Sequence, residues 1–311
     1  MFYGPVLSRR FGYSLGVDII PFKVCVYNCI YCQLGPTTEK TTSRKRYLDI
    51  DLDEFGKDLN KKIKEFPYTD YVTFSGSGEP TLNSDIDRLI EAAKLNSLVP
   101  VVVLTSGGTL GLEGVAEDLK NADIVKVSLD ACSQEMLEKI NCPAEGVRLE
   151  KNMEGIKRLI NISDASIWLE IMIMAGINDD MVSAKKFKDI IEDFRQGIEK
   201  IHLNTAVRPS GKGYMRLPER KRLEQIKDVL GQKAEIIGKV NYGKYSSNLV
   251  QTEQEIEKLI KRRPVTIADI SSALGINRNE AIKICDKLMS EEKIDYSTSK
   301  NEKYYIKPRI L

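Results

Sequence analysis

Cys25-Val-Tyr-Asn-Cys29-Ile-Tyr-Cys32 puts three cysteines within eight residues, and the C-x3-C-x2-C spacing offers three thiolates to one small inorganic centre. A 4Fe-4S cluster is normally held by four cysteines, so a triplet with no fourth cysteine nearby leaves one iron for a non-protein ligand. A catalytic centre needs such an open position and a structural one avoids it. Two plainer readings compete. Zinc would want a fourth ligand, and the only histidine, His202, is far away in sequence. A disulfide framework needs an oxidising compartment, and the start Met1-Phe-Tyr-Gly-Pro-Val lacks the basic region and apolar run of a secretory signal. Spacing and compartment together favour the cluster.

At 311 residues, 42% of them apolar, the chain is long enough for one large α/β domain and a small appendage. Its apolar runs are short, as in Val99-Pro-Val-Val-Val-Leu104, and mean hydropathy is −0.28. No membrane span is expected, and a soluble cytoplasmic protein is. A net charge of +2, from 47 basic and 45 acidic residues, excludes a large global pull on nucleic acid.

Strand-like stretches alternate with amphipathic helical ones through residue 240. The strand candidates are Leu15 to Ile20, Tyr71 to Ser75, Val101 to Thr105, Ile124 to Leu129, Ile167 to Ile173 and Lys200 to Leu203. Helical spacing appears at Ile86, Leu89, Ile90, Ala93 and again at Phe187, Ile190, Ile191, Phe194. Such alternation predicts βα units on a parallel sheet, and six units predict a partial (β/α)6 TIM-like barrel over residues 1–240. Asn241 to Asn248, rich in Gly, Ser and Asn, reads as part of a linker over 241–250. Residues 251–311 then read as three helices and a hairpin, a C-terminal winged-helix domain. The first helix covers 251–262, Thr266 begins the second, Gly275 marks a turn and Asn277 caps the third. Strands at Lys293 to Ser297 and Lys303 to Lys307 flank the polar tip Ser299 to Glu302.

In a barrel the loops after the strands share one chemical face. The cysteine triplet follows the first strand. Ser75-Gly-Ser-Gly78-Glu79-Pro80 follows the second; its small residues let backbone approach a ligand closely while Pro80 stiffens the exit. No Gly-Lys-Ser/Thr follows, so it is not a phosphate loop. Thr105, Ser128 and Asp130 stand after the third and fourth strands, where capping of the next helix, as expected of Ser133, is the plain alternative. Glu170 interrupts an apolar strand and needs a partner: a bound group, or a neighbouring Lys or Arg. Met172 and Met174 read as core. Asn204 and Arg208 end the sixth strand, Arg208 fitted either to clamp an anion or to form a structural salt bridge. Arg9 and Arg10 either bind substrate phosphate or, the favoured reading, pin the N-terminal arm to barrel carboxylates.

The cysteine motif, with aromatic Tyr31 just before the third cysteine, resembles that of the radical S-adenosylmethionine (radical SAM) superfamily. The resemblance implies that a unique iron binds the amino and carboxylate groups of SAM. It implies too that an electron from a low-potential donor, such as ferredoxin or flavodoxin, cleaves SAM to a 5'-deoxyadenosyl radical that abstracts hydrogen from a substrate. Ser77-Gly78-Glu79-Pro80 resembles the superfamily's Gly-Gly-Glu-Pro motif for the methionine amino group, with Ser77 in place of the first glycine. Thr105, Ser128 and Asp130 match positions that contact the ribose; Glu170, Asn204 and Arg208 complete the expected set. Over Gly4 to Arg10, Phe74 to Pro80, Lys126 to Ala131, Gly176 to Asp179 and Asn204 to Pro209 the chain resembles a branch related to tRNA wyosine-base (4-demethylwyosine) synthases. Those use a second cysteine triplet, whereas Cys132, Cys142 and Cys285 are scattered here, so 4-demethylwyosine synthesis is not expected. Cys142 is a candidate catalytic hydrogen donor or covalent group, against the plain reading of a buried thiol.

The expected function is thus radical SAM chemistry on an unidentified substrate, RNA, peptide or small molecule. The winged helix is a candidate contact for nucleic acid or peptide, although 251–311 carries only 12 basic against 10 acidic residues. The rival is an iron-sulfur sensor acting on DNA through that winged helix.

Overall fold

The computed structural model describes residues 1–206, 210, 216–237, 253–274, 276, 278–299 and 302–308. Strands β1 (Phe2–Ser8) and β2 (Gly12–Val17) form an antiparallel hairpin, and the two-residue strands β3 (Val24–Cys25) and β4 (Glu39–Lys40) pair across the cysteine loop. There follow α1 (Leu52–Glu65), β5 (Tyr71–Phe74), α2 (Ile86–Asn96), β6 (Val101–Thr105), α3 (Val115–Leu119), β7 (Ile124–Ser128), α4 (Gln134–Ile140) and α5 (Leu149–Ile162). Next come β8 (Ser166–Ile173), α6 (Met181–Glu192), β9 (Ile198–Thr205), α7 (Arg220–Leu230) and β10 (Ala234–Ile236). The chain ends with α8 (Glu253–Arg262), α9 (Ile267–Leu274), α10 (Arg278–Ser290), β11 (Asp295–Ser299) and β12 (Glu302–Ile306).

The main sheet runs β1-β2-β5-β6-β7-β8-β9-β10, parallel from β2 onward. Its strands are short β-branched runs buried on both faces, such as Val101-Val102-Val103. Their outward residues, among them Leu169, Ile171 and Val103, meet helix stripes such as Phe55 and Leu59 or Leu89 and Ile90 in one core. Helix starts are chemically marked: Asp51 accepts from Glu54 N, Ser133 from Met136 N and Asp180 from Val182 and Ser183 N. This mostly parallel α/β architecture fits a partial barrel.

Differences from the sequence reading have local causes. Strand β1 was not foreseen, because Gly4-Pro5 looks like a breaker. It lies on the sheet edge, and its register shifts between Tyr3 and Val6, which is where a strand tolerates proline. Strand β2 starts at Gly12 and stops at Val17, since Asp18 to Ile20 leave the sheet and Asn83 Nδ2 bonds Ile19 O at 2.9 Å. Strand β9 is longer than foreseen and β10 is additional. The last hairpin is displaced because Lys293 still belongs to the close of α10, its N–H bonded to Leu288 O at 2.9 Å. Residues 253–306 carry a core of their own, built on Ile256, Ile270, Ala281 and Leu288. The linker 241–250, Arg208, Gly275, Asn277 and the hairpin tip Lys300-Asn301 lie outside the described residues. Among the described residues, no helix is long and apolar enough to cross a membrane.

The barrel interior is layered. Its floor is apolar: Phe11 stacks on Trp168 with centroids 5.2 Å apart, beside Val102 and Ile124. Above it Glu170 pairs with Lys126 at 2.8 Å and with Arg10. Burial alone would raise the Glu170 carboxyl, but the two cations more than offset it and hold it at about 2. His202 is kept neutral: burial and Arg10 lower it to about 4 against the opposing Glu235, bonded at 2.8 Å. On β9, bonded to Glu235 and packed edge-on against Trp168, it lies in the barrel interior and is not brought to the cysteines.

Glu170→Gln strips Lys126 and Arg10 of their counter-charge and should cost about 3–5 kcal/mol in urea unfolding at neutral pH. Because folding depresses this carboxyl, its stabilisation is present above the ordinary value of 4.5 and is lost as pH falls toward about 2. The variant should lack that component of the acid limb of the stability curve; an unchanged limb would refute the assignment.

Candidate metal and cofactor site

The cysteine loop has almost no secondary structure of its own and takes its shape from neighbours. On one side Lys23 N donates to Ser77 O at 2.7 Å and Glu79 N to Val24 O at 3.0 Å. These bonds require close approach, for a Cβ on Gly78 would lie 1.9 Å from Val24 O. On the other side Asn28 N donates to Asn141 O at 2.9 Å, Ile30 N to Ile140 O at 2.9 Å and Ala144 N to Val26 O at 2.8 Å. The loop is thus clamped between the segment after β5 and the segment after α4, at the C-terminal ends of the parallel strands.

All six cysteines are free thiols. Burial pushes Cys25 up to about 12, with the Glu79 carboxylate adding to the rise, and burial likewise raises Cys29 well above its ordinary value. Cys25, Cys29 and Cys32 repel one another as charges, so thiolates here need a compensating metal centre. Two donors address the sulfurs: Lys23 Nζ to Cys32 Sγ at 3.1 Å and Asn141 Nδ2 to Cys29 Sγ at 3.4 Å. Among the described residues, no three His, Cys, Asp or Glu side chains are gathered around one ion. Three cysteine sulfurs, two of them addressed by the Lys23 and Asn141 donors, are the thiolate donor chemistry that an iron-sulfur cluster takes.

Glu79, almost fully buried, binds the second loop to the third. Its carboxylate accepts from Thr81 Oγ1 at 2.6 Å, Thr105 Oγ1 at 2.8 Å and Ser106 N at 2.7 Å. The Thr105 hydroxyl thus donates to Glu79. Asp130 turns beneath the cysteine loop: one oxygen accepts from Tyr31 and Asn141, the other from Met172 N. Burial raises its carboxyl, and those three donors oppose the rise.

A cavity of about 360 Å³ opens beside Cys32, lined also by Tyr31, Ser75, Gly76, Glu170 and Asn204. Asn204 Oδ1 there accepts from Arg9 at 2.9 Å. Ser128 lies instead in a narrow crevice behind the loop, with Tyr27, Ser106 and Asn141. Glu170 lines this cavity while ion-paired with Lys126 and Arg10. Cys142 does not line the cavity; its Sγ sits 4.0 Å from Lys139 O, after α4, and the residue has φ +44. Cys132 packs on Met136 and Cys285 lies in the C-terminal core, so neither joins a second cluster. A hollow of about 490 Å³ among Glu91, Lys94 and Asp123 lies at the opposite ends of the strands, the face associated with stability. Lys23, Asn141 and Ser106 were missed by sequence reading, because their roles arise from contacts far apart in the chain.

A family model described as the radical SAM superfamily matches residues 19–187. A UPF0026 protein of Methanocaldococcus jannaschii is 30% identical, with 98% of this chain and 95% of that protein covered. A protein of Brachyspira hyodysenteriae named GTPase Obg is also 30% identical over 94% of this chain, which spans only 43% of that relative's length. Among solved structures, a radical SAM methyltransferase from Sphaerobacter thermophilus has a TM-score of 0.55 at 17% identity, covering 72% of this chain and 65% of that one.

Gly78→Ala should force the cysteine loop off Val24. Iron content after anaerobic reconstitution should fall to about half or less, while far-UV circular dichroism stays unchanged. Full iron loading would show that the contact is dispensable.

Proposed function

The chain belongs to the radical SAM superfamily, and we propose that Cys25, Cys29 and Cys32 hold its cluster and leave the fourth iron open to SAM at the mouth of the barrel. Membership makes the protein an enzyme whose cofactors are a 4Fe-4S cluster and S-adenosylmethionine. When bound, the cluster supplies the electron that splits the SAM sulfonium to methionine and a 5'-deoxyadenosyl radical, which takes hydrogen from the substrate.

The chain's own residues prepare that site. Lys23 and Asn141 donate to two of the ligating sulfurs and so offset thiolate charge. The loop from Ser75 to Gly78 receives the methionine end of SAM, and Glu79 holds that loop to Thr105 and Ser106. Ser128 offers a hydroxyl toward the ribose, while Asp130 orients Tyr31 and Asn141 under the cluster. Asn204, beside Arg9, faces the substrate across the cavity. The observation that carries this reading is the main-chain docking of the cysteine loop onto the glycine loop at the edge of that cavity. A low-potential donor such as ferredoxin or flavodoxin, which radical SAM enzymes commonly use, supplies the electron.

Within the superfamily we place the chain beside the UPF0026 proteins and read the three C-terminal helices and hairpin as a winged helix. The regulator alternative gives no purpose to a cavity beside Cys32.

Anaerobic reconstitution with SAM and dithionite should yield 5'-deoxyadenosine. Cys25→Ala, Cys29→Ala or Cys32→Ala should each abolish the brown cluster absorbance and that product together. Glu79→Gln should keep the cluster but weaken SAM binding about tenfold, because an amide cannot accept from donors on both sides. A fully loaded wild-type cluster that leaves SAM intact would overturn the proposal.

A further inference from the structure

Asp18 leaves the end of β2 and places its carboxylate under the Ser75-Gly76-Ser77 turn. Oδ1 accepts from Ser77 N at 3.1 Å and Oδ2 from Ser77 Oγ at 2.6 Å. Only glycine at 76 admits that carboxylate, since a Cβ would lie 2.4 Å from its carbon. The counter-charge comes from a residue 244 positions away: Arg262, the last residue of α8, donates from Nη1 to Asp18 Oδ2 at 2.7 Å. The same guanidinium lies 3.7 Å from the centre of the Tyr3 ring, and the Tyr3 hydroxyl is 2.8 Å from Ser75 Oγ. Arg262 therefore reaches both ends of the turn, one through a carboxylate and the other through an aromatic ring. Both members of the pair are largely buried, with side chains 19% and 10% exposed, so solvent screens it little.

We propose that Arg262 is a positioning residue for the cofactor loop and that the C-terminal unit is accordingly part of the cofactor site. This rests on the reading that the turn receives the methionine end of SAM. The argument also accounts for the departure from Gly-Gly-Glu-Pro at Ser77. A glycine there would offer only its N–H, whereas serine adds a hydroxyl donor whose acceptor is the carboxylate that Arg262 holds. Docking of α8 and order in the turn are thereby coupled: whatever loosens the helix from β1 strips Asp18 of its counter-charge and weakens its hold on the turn. Leu259, Arg262 and Arg263 also wall the cavity, so the C-terminal unit touches both the cofactor loop and the space for substrate.

The test uses the full chain, anaerobically reconstituted. Arg262→Met should weaken SAM binding about tenfold in calorimetry, the effect of losing one charged hydrogen bond. Iron content should be unchanged, and hydrogen exchange at the Ser77 amide should quicken even without SAM. Arg262→Lys should restore part of the loss, because an ammonium keeps the charge but not the planar fork and stack. In a Ser77→Gly background Arg262→Met should cost less than in the wild type, since the hydroxyl it supports is gone. Wild-type SAM affinity with unchanged Ser77 exchange in Arg262→Met would overturn the proposal, and so would additive effects of the two substitutions. If the wild type itself binds no SAM, the cofactor reading fails while Ser77 exchange still decides the role of Arg262. Should Arg262→Met fail to fold, Arg262→Lys and Ser77→Gly, alone and combined, provide the same comparison.

Discussion

The contact between Gly78 and Val24 is the constraint on which the candidate site depends. Parallel strands deliver loops to one edge, but they do not by themselves bring two loops into backbone contact. The absence of a side chain at position 78 allows it, and the bonds from Lys23 N to Ser77 O and from Glu79 N to Val24 O then fix the start of the cysteine loop. With the opposite side held by Asn28, Ile30 and Ala144, an irregular segment becomes a rigid one. The thiols are thereby positioned by neighbouring scaffold, as the ligands of a metal centre would have to be.

The interior is graded in polarity from floor to mouth, and this explains how charges survive inside it. Glu170 is tolerated because Lys126 and Arg10 meet its two oxygens, and His202 remains uncharged in the same surroundings. Arg10 arrives on the N-terminal hairpin, so that hairpin is stitched electrostatically into the barrel. The edge it creates, β1, is then covered by the C-terminal helices, which answers the hazard of an exposed strand edge.

Much of this was legible in the chain. The β-branched runs at 101–105 and 124–128 gave their strands nearly to the residue, because burial on both faces leaves a continuous apolar signature. The cysteine triplet and Glu79 stood out for a different reason: few other jobs require that spacing or that company. Strand β1 was hidden by Gly4-Pro5, whose local meaning is a turn and whose actual place is an edge irregularity. Asp130 carried two readings, a ribose contact and a helix cap, and its partners Tyr31 and Asn141 were not legible because sequence tells where a carboxylate stands but not which way it faces. Lys23, Asn141 and Arg262 left no local trace, since each matters through a partner that only the tertiary fold supplies.

The floor of the barrel carries one further implication. Trp168 is the only indole in the chain, and it is wedged between Phe11 from the hairpin turn and His202 from β9. Its emission therefore reports on a single place, the seam where the first and later portions of the polypeptide meet, and any event that unseats the hairpin will alter that light without an added dye.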